Sequence, residues 1–209
     1  MKNFDNKYLT DEIRLIAGID EAGRGPLAGP VVAAAVIFDK NTVIEYVNDS
    51  KKLTEKKREE LYYEIIGNCL TYGIGIIEER EIDEINILQA SLKAMKIAAR
   101  QLEPQPDLIL IDGNKVFNSD IPAEAVVKGD AKSFAIAAAS ILAKVTRDRY
   151  MRELSENYPE YVWYKNKGYG TKEHINAIKK FGPTMVHRKS FLGNILSEEQ
   201  LNLAYNKSD

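Results

Sequence analysis

The segment from Gly18 to Pro30 constrains this chain most, because two adjacent acidic residues stand where a buried strand is predicted to end. It reads Gly18-Ile19-Asp20-Glu21-Ala22-Gly23-Arg24-Gly25-Pro26-Leu27-Ala28-Gly29-Pro30. Adjacent carboxylates at the end of an apolar strand repel each other unless a cation neutralises them. The glycines on either side of Arg24 leave backbone N–H groups accessible beside its positive charge. The segment therefore predicts a metal site next to an anion site, a combination that suits phosphodiester chemistry.

The same residues also fit the dinucleotide-binding fingerprint G-x-G-x-x-A, through Gly23, Gly25 and Ala28. That motif needs a helix that begins there and points its N-terminus at the pyrophosphate. In this chain Pro26 and Pro30 interrupt the segment, and a β-rich run follows it. The acidic pair would also repel a pyrophosphate. A nucleotide-cofactor enzyme is therefore the least favoured alternative.

The composition is that of an ordinary soluble protein, with 209 residues of which 44% are hydrophobic and 29% charged. The longest nearly apolar stretch, Ala28 to Phe38, is far shorter than the ~20 residues of a membrane helix. The N-terminus lacks the basic-then-apolar order of a secretory signal. The one cysteine, Cys69, excludes an internal disulfide. We therefore expect a cytoplasmic protein that does not enter a membrane.

The charge is unevenly distributed along the chain, although the net charge is only −2. The stretch 144–189 holds 11 Lys and Arg against 5 Asp and Glu, which gives it +6 and leaves −8 for the rest. Such asymmetry is compatible with a cationic binding face or with an ordinary solvated helical surface. The charge pattern alone does not choose between them.

Apolar periodicity and capping residues predict a chain of alternating strands and helices. The predicted strands cover residues 14–20, 31–38, 42–47, 71–77, 107–111 and 123–128. Two predicted helices begin after the capping residues Thr54 and Asp83. Three more are predicted over residues 133–156, 171–180 and 198–205. This order indicates an α/β fold with a mixed sheet flanked by helices. We expect one catalytic domain over residues 1–209, of which about 157–209 form a helical C-terminal extension.

Acidic residues stand at or just beyond the ends of several predicted strands: Asp20, Glu21, Asp112 and Asp130. Sites in open α/β sheets form at the carboxyl ends of the strands, where separate segments converge. Carboxylate oxygens suit hard cations such as Mg²⁺, and a pair of such ions activates water and stabilises the leaving oxygen in phosphodiester hydrolysis. No His or Cys accompanies these acids, which disfavours zinc.

The segment from Gly18 to Pro26 closely resembles the opening motif of the type 2 ribonucleases H, the ribonuclease HII family. The resemblance spans roughly Leu15 to Phe191. It continues through Asn48-Asp49-Ser50-Lys51-Lys52-Leu53, Ile111-Asp112-Gly113, Lys128-Gly129-Asp130, the Ala-rich helix to Lys144, Lys167-Gly168-Tyr169-Gly170-Thr171-Lys172-Glu173-His174 and His187-Arg188-Lys189-Ser190-Phe191. The related ribonuclease HIII group is less similar, because it usually has Glu where Asp130 stands and carries an extra N-terminal domain.

The resemblance implies a ribonuclease H-like fold and hydrolysis of RNA in RNA–DNA hybrids. It also implies cleavage on the 5′ side of a ribonucleotide embedded in duplex DNA, which leaves 3′-hydroxyl and 5′-phosphate ends. The family's catalytic acids, which bind two Mg²⁺ or Mn²⁺ ions, carry over onto Asp20, Glu21, Asp112 and Asp130. We expect a monomer, and a replication clamp stays possible as a partner of the tail that begins at Ser197.

Recognition of the substrate is predicted for a second set of residues. The resemblance implies that Gly23, Arg24 and Gly25 sense the ribose 2′-hydroxyl and that Tyr169 stacks on the neighbouring deoxyribose. Basic and hydroxyl side chains are expected to contact phosphates, namely Ser50, Lys51, Lys52, Lys172, Arg188 and Lys189. We predict no catalytic role for His174 or His187, and we expect Trp163 and its neighbouring tyrosines to cover the C-terminal helices.

Two other functions stay open from the sequence. One is a metal nuclease of similar fold with another substrate, such as a junction-resolving endonuclease. The other is a non-catalytic protein that binds hybrids and has kept the fold. The intact set of acids argues against the second alternative, because a protein that only binds phosphates gains nothing from concentrated negative charge.

Overall fold

The computed structural model describes residues 1–47 and 50–205. Asn48 and Asp49 of the Asn48–Leu53 motif, and the end of the C-terminal tail, lie outside the described residues. The strands are β1 (Ile16–Ala22), β2 (Val31–Ile37), β3 (Thr71–Ile77), β4 (Leu108–Asp112) and β5 (Ala123–Val126). The α-helices are α1 (Lys2–Asp5), α2 (Glu55–Asn68), α3 (Glu79–Ile85), α4 (Ile87–Arg100), α5 (Phe134–Asn157), α6 (Trp163–Asn166), α7 (Lys172–Phe181) and α8 (Glu198–Tyr205).

The strands form a mixed five-stranded sheet in the order β3-β2-β1-β4-β5. β1 pairs with β2 in antiparallel register and with β4 in parallel register, and β4 pairs with β5 in parallel. The strands β1 and β4 at the centre are almost wholly buried because helices cover the sheet. The predicted fold class, a ribonuclease H-like mixed sheet flanked by helices, is confirmed.

The chain divides into two compact units. The first consists of residues 1–22, 32–76 and 91–146 and contains the sheet. The second consists of residues 23–31, 77–90 and 147–209. The division into one domain with an extension from about residue 157 stays a prediction. None of the described helices is long and apolar enough to cross a membrane.

The close approach of β1 and α5 explains why the first half of α5 is built from small residues. A Cβ atom on Gly18 would lie 2.1 Å from the backbone carbon of Ala135. The first turns of α5 continue with Ala137, Ala138 and Ala139, all fully buried. Only small side chains allow a helix to lie this close to a sheet. The position of β1, and with it the acidic pair that β1 carries, is therefore fixed by backbone packing.

The outer strand β3 is covered by α4 in the same way. Cβ atoms on Gly73 and Gly75 would lie 2.2 Å and 1.9 Å from the carbonyl oxygens of Ala98 and Ala94. The side chain of Gln101 then pairs with the main chain of Ile74. It donates to the Ile74 carbonyl oxygen at 2.7 Å and accepts from the Ile74 N–H at 3.2 Å. One amide side chain thus satisfies both main-chain groups of an edge residue.

The predicted strand at residues 42–47 is wrong. The segment turns instead, and Tyr46 adopts a left-handed backbone with φ of 64°. Its apolar residues Ile44 and Val47 stand three apart and pack into the core of the first unit from a loop. A loop anchored by two buried side chains has the same apolar content as a short strand, which is why the sequence was misleading here.

The predicted cap at Asp83 is also wrong. Asp83 lies inside α3, and its carboxylate accepts hydrogen bonds from the N–H groups of Lys189 and Ser190 at 2.7 Å and 3.0 Å. The cap of α4 is Asn86, whose Oδ1 accepts from the N–H groups of Leu88 and Gln89 at 3.0 Å and 3.2 Å. The predicted caps Thr54 and Thr171 are confirmed, each accepting a hydrogen bond at 3.2 Å.

An aromatic cluster forms the core of the second unit. Trp163 and Tyr161 are buried and stack with 5.1 Å between their ring centroids. The expectation that Trp163 and its neighbouring tyrosines cover the C-terminal helices holds for Trp163, Tyr161 and Tyr158, whereas Tyr164 is exposed. Residues 158–170 contain a short 3₁₀ turn at Pro159–Tyr161 and the helix α6.

Candidate active site

The acidic residues of the first unit are brought together by the register of β1 and β4. Ile19 of β1 lies opposite Ile111 of β4 in the parallel pair. The next residues along the two strands are Asp20 and Asp112, which therefore stand side by side at the carboxyl end of the sheet. Asp130 follows β5 in a short 3₁₀ turn, Gly129–Ala131, at the same end.

Hydrogen bonds attach the turn of Asp130 to β4. Oδ1 of Asp112 accepts from the N–H of Gly129 at 2.6 Å and from the N–H of Asp130 at 3.3 Å. Gly129 packs closely here, because a Cβ there would lie 2.6 Å from Ile136 Cδ1 and 3.2 Å from Oδ1 of Asp112. The Asp112 carboxylate thus orients Asp130 as well as contributing its own charge.

The electrostatics of Asp20 suit a carboxylate that binds a cation. Asp20 is buried, and burial together with repulsion from Glu21 and Asp112 raises its pKa well above its usual range. Hydrogen bonds from the N–H of Glu21, at 2.7 Å, and from Ser140 oppose the shift without cancelling it. A divalent cation would remove both the repulsion and the desolvation penalty.

Within residues 1–47 and 50–205, no three His, Cys, Asp or Glu side chains lie close enough together to hold a metal ion. The acids nevertheless fit a hard cation, because the buried Asp20 faces the negative charges of Glu21 and Asp112 and offers only oxygen donors. Near Asp130, the ammonium of Lys51 supplies positive charge, with Nζ 3.9 Å from Oδ2.

The Gly-Arg-Gly step belongs to the second unit, where its backbone is tightly constrained. Gly23 is buried with φ of +98°, and a Cβ there would lie 2.1 Å from Arg147 Nε and 2.7 Å from the Pro30 carbonyl oxygen. Gly25 is exposed, and its Cβ position lies 3.8 Å from Cε1 of Tyr169. Tyr169 is 43% exposed, so its ring and Gly25 together form an accessible surface.

The sequence from residue 17 to residue 193 matches the family model of ribonuclease HII. The chain belongs to the ribonuclease HII family. Ribonuclease HII of Caldicellulosiruptor bescii is 54% identical over 193 residues, which cover 92% of this chain and 94% of the relative. Ribonuclease HII of Clostridioides difficile is 56% identical over 193 residues, which cover 92% of this chain and 76% of the relative. The resemblance in the motifs is thereby confirmed.

Solved structures agree with the sequence comparison. The ribonuclease H2 of Pyrococcus horikoshii matches with a TM-score of 0.74 and 29% identity, covering 90% of this chain and 99% of the other. A ribonuclease HIII crystallised with Mn²⁺ shares the fold, with a TM-score of 0.65 at 16% identity over 94% of this chain and 72% of the other. Ribonuclease HII proteins are divalent-metal-dependent endonucleases that act on RNA–DNA substrates, so this chain is a ribonuclease H enzyme.

The predicted phosphate contact of Arg188 in this ribonuclease HII is wrong, because the side chain is fully buried. Its guanidinium donates to the carbonyl oxygens of Gly23 at 2.6 Å, Arg24 at 3.0 Å and Gly29 at 2.7 Å. Burial and repulsion from Arg147 lower the pKa of Arg188 to about 9. Arg188 therefore supports the Gly-Arg-Gly step from within the protein.

Arg147 supports the same segment, a role that was not predicted from the sequence. It is buried and donates to the carbonyl oxygens of Pro30 at 2.9 Å, Ala28 at 3.1 Å and Lys167 at 3.0 Å. Its guanidinium carbon lies 6.0 Å from the Tyr169 ring centroid. A signal was present: Arg147 falls four residues before Met151, on the apolar stripe of α5.

The remaining predicted phosphate contacts divide into exposed and buried residues. Ser50 is buried and its hydroxyl shares a 2.7 Å hydrogen bond with Ser140, so the prediction that it contacts a phosphate is not supported. Lys51, Lys52 and Lys172 are exposed, and Lys189 is half-buried. These lysines are compatible with phosphate contacts, which stay a prediction for each of them.

Proposed function

We propose that this ribonuclease HII cleaves RNA in RNA–DNA hybrids and cuts on the 5′ side of single ribonucleotides embedded in duplex DNA. The products would carry 3′-hydroxyl and 5′-phosphate ends, as ribonucleotide removal and primer processing require. The observation that carries the proposal is the buried Asp20 beside Asp112 and Glu21. A protein that only bound nucleic acid would gain nothing from this negative charge.

The acids have distinct tasks in the proposed reaction. Asp20 and Asp112 would hold Mg²⁺ or Mn²⁺ most directly, and Glu21 and Asp130 would complete the ligands of two ions. Bound divalent ions supply charge neutralisation and an activated water. Asp112 also fixes Asp130 through the N–H groups of Gly129 and Asp130. Lys51, whose Nζ lies 3.9 Å from Oδ2 of Asp130, would contact the phosphate that the bound ions attract.

Recognition of the ribonucleotide is assigned to Gly25 and Tyr169 with their neighbours Gly23 and Arg24. Gly25 lacks a side chain, so a sugar can approach its backbone closely enough for the 2′-hydroxyl to be sensed. The Tyr169 ring beside Gly25 would stack on the next deoxyribose and exclude a hydroxyl there. The exposed side chains of Lys51, Lys52 and Lys172, and Lys189, would add affinity through phosphates without reading sequence.

Cleavage of two duplexes tests the proposal, one with a single embedded ribonucleotide and one a uniform RNA–DNA hybrid, with and without Mg²⁺. We expect Mg²⁺-dependent cuts of both and a cut 5′ to the single ribonucleotide. Asp130→Asn should lose cleavage and retain binding. Tyr169→Ala should lose cleavage of the single ribonucleotide more than cleavage of the hybrid, whereas Tyr164→Ala, another exposed tyrosine, serves as the control.

The same assay separates the alternatives. Cleavage of an all-DNA four-way junction in preference to either duplex would indicate a junction-resolving enzyme. Binding of the hybrid without turnover at any Mg²⁺ or Mn²⁺ concentration would indicate a non-catalytic protein. Near wild-type cleavage by Asp130→Asn would refute the assignment of this acid.

A sliding clamp is proposed as a partner of the C-terminal tail. The support is a related structure, the PCNA:RNase HII complex from Archaeoglobus fulgidus, which matches with a TM-score of 0.70 and 27% identity, covering 83% of this chain and 93% of that one. Size-exclusion chromatography of the full chain, alone and with its clamp, tests both this partner and the expected monomer. Co-elution that survives truncation before Ser197 would place the contact elsewhere.

A further inference from the structure

The main chain of Tyr169 is held by a buried histidine. The carbonyl oxygen of Tyr169 accepts one hydrogen bond from the N–H of Thr171 at 2.8 Å and another from Nδ1 of His174 at 3.0 Å. Thr171 caps the helix α7, which carries His174. The exposed ring of Tyr169 is thus attached to a main chain that a fully buried side chain fixes.

The hydrogen-bond partners determine which nitrogen of His174 carries the proton. A carbonyl oxygen only accepts, so Nδ1 of His174 is the donor. Nε2 of His174 must then be an acceptor, and the indole N–H of Trp163, which only donates, points at it from 2.9 Å. His174 is therefore the neutral Nδ1–H tautomer.

His187 adopts the opposite tautomer for the same kind of reason. Its Nδ1 accepts from the backbone N–H of Thr184 at 2.9 Å, so its proton is on Nε2. That nitrogen lies 3.1 Å from Nε2 of His174, to which it donates. Burial lowers the pKa of both histidines, and repulsion from His174 lowers that of His187 further. A proton added to Nε2 of His174 would also face the N–H groups of Trp163 and His187.

The second histidine also belongs to the segment that holds the Gly-Arg-Gly loop. His187 pairs with Ala28 in an antiparallel bridge, and the N–H of Gly29 donates to Val186 at 2.9 Å. The next residue, Arg188, donates to Gly23 and Arg24. The two histidines therefore connect the Tyr169 carbonyl with the segment 184–188 by hydrogen bonds, and that segment in turn bonds the loop of Gly25 through its main chain and the Arg188 side chain.

We propose that His174 and His187 are positioning residues that set the Tyr169 ring against Gly25 and thereby determine selectivity for an embedded ribonucleotide. Neither touches the reacting atoms; both act through the Tyr169 main chain. This inference rests on the proposed role of Tyr169. It predicts that loss of the pair affects the choice between substrates more than the cleavage of a uniform hybrid.

The test compares two variants of His174. His174→Phe keeps an aromatic side chain and removes both nitrogens, whereas the amide of His174→Asn can still donate to the Tyr169 carbonyl. We expect His174→Phe to reduce the ratio of single-ribonucleotide to hybrid cleavage about tenfold, as for a buried polar group left without its partner. His174→Asn should restore most of this ratio. Asn176→Ala, an exposed change on the same helix, is the control.

A double-mutant cycle with Tyr169→Ala separates positioning from general support of the fold. If His174 acts through Tyr169, His174→Phe should change the ratio little further once the ring is absent. Equal losses on both substrates, or additive effects in the cycle, would overturn the inference. If Tyr169→Ala itself leaves the ratio unchanged, the proposed function of Tyr169 fails instead.

Long-range ¹H–¹⁵N NMR on the wild-type protein tests the pair without relying on variants that fold poorly. We expect His174 as the Nδ1–H tautomer and His187 as the Nε2–H tautomer, both neutral at pH 6.5. Detection of an Nε2–H proton on His174, or of a charged ring at that pH, would refute the arrangement.

Discussion

Arg188 donates a 2.6 Å hydrogen bond from Nη2 to the carbonyl oxygen of Gly23, and its side chain is fully buried. A basic residue in a family motif of a nuclease thus binds the main chain of the Gly-Arg-Gly step. The distinction between such a residue and a phosphate contact can be measured, because only a phosphate contact releases counterions on binding.

We expect Arg188→Gln and Lys172→Gln to differ in their salt dependence. Lys172→Gln should reduce the slope of log affinity for a hybrid against log salt by about 0.9, the value for one phosphate contact. Arg188→Gln should leave this slope unchanged and lower the free energy of unfolding by about 2 kcal/mol, because buried carbonyl groups lose their donor. Binding titrations in chelator at several KCl concentrations check this. A reduced slope for Arg188→Gln would restore it as a phosphate contact.

Asp20→Asn should stabilise the protein in chelator and abolish its response to metal. The substitution removes a buried charge that Glu21 and Asp112 repel, so we expect the free energy of unfolding to rise by about 1 to 3 kcal/mol. Mg²⁺ should raise the melting temperature of the wild type and not that of the variant. Thermal unfolding with and without Mg²⁺ measures both effects. Asp120→Asn, an exposed change, is the control, and an unchanged Mg²⁺ response in Asp20→Asn would contradict the metal site.

Glu79 predicts a pH dependence of stability. It is buried, its Oε1 has no hydrogen-bond partner among the described residues, and burial raises its pKa from 4.5 to about 7. Between these values the folded state holds a proton that the unfolded state has lost, so this residue lowers stability as the pH rises, by about 3 kcal/mol in all. We expect Glu79→Gln to be more stable than the wild type at pH 8 and similar to it at pH 4.5. Urea denaturation at both pH values checks this, and a constant difference across the range would refute it.

The two glycines of the Gly-Arg-Gly step should respond differently to alanine. Gly23→Ala requires a side chain at φ of +98° within 2.1 Å of Arg147, and we expect a loss of about 3 kcal/mol or more in stability. Gly25→Ala places a methyl group at ordinary contact distance from the Tyr169 ring. It should keep wild-type stability and lose cleavage of the single ribonucleotide. Thermal unfolding and the two-substrate assay together test this, and equal stability of both variants would contradict the structure.

The strands that carry the acids could be predicted from the sequence, because an apolar run that ends in Asp or Glu is an unusual pattern. Asp20 and Asp112 stand where predicted for this reason. The support of the Gly-Arg-Gly step by Arg188 was harder to predict, because a buried arginine and an exposed lysine look alike in a sequence. Their difference depends on which carbonyl groups the fold buries nearby. The prediction of a strand at residues 42–47 was wrong for a related reason. Ile44 and Val47 anchor a loop with buried apolar side chains of the kind that a strand would also bury.

The amide of Gln101 has a consequence for how this protein behaves at high concentration. It engages both main-chain groups of Ile74 on the outermost strand. A neighbouring molecule that extended the sheet at this border would first have to displace that amide. A single glutamine therefore disfavours self-association by strand addition, because an edge strand with free main-chain groups is a site where aggregation begins.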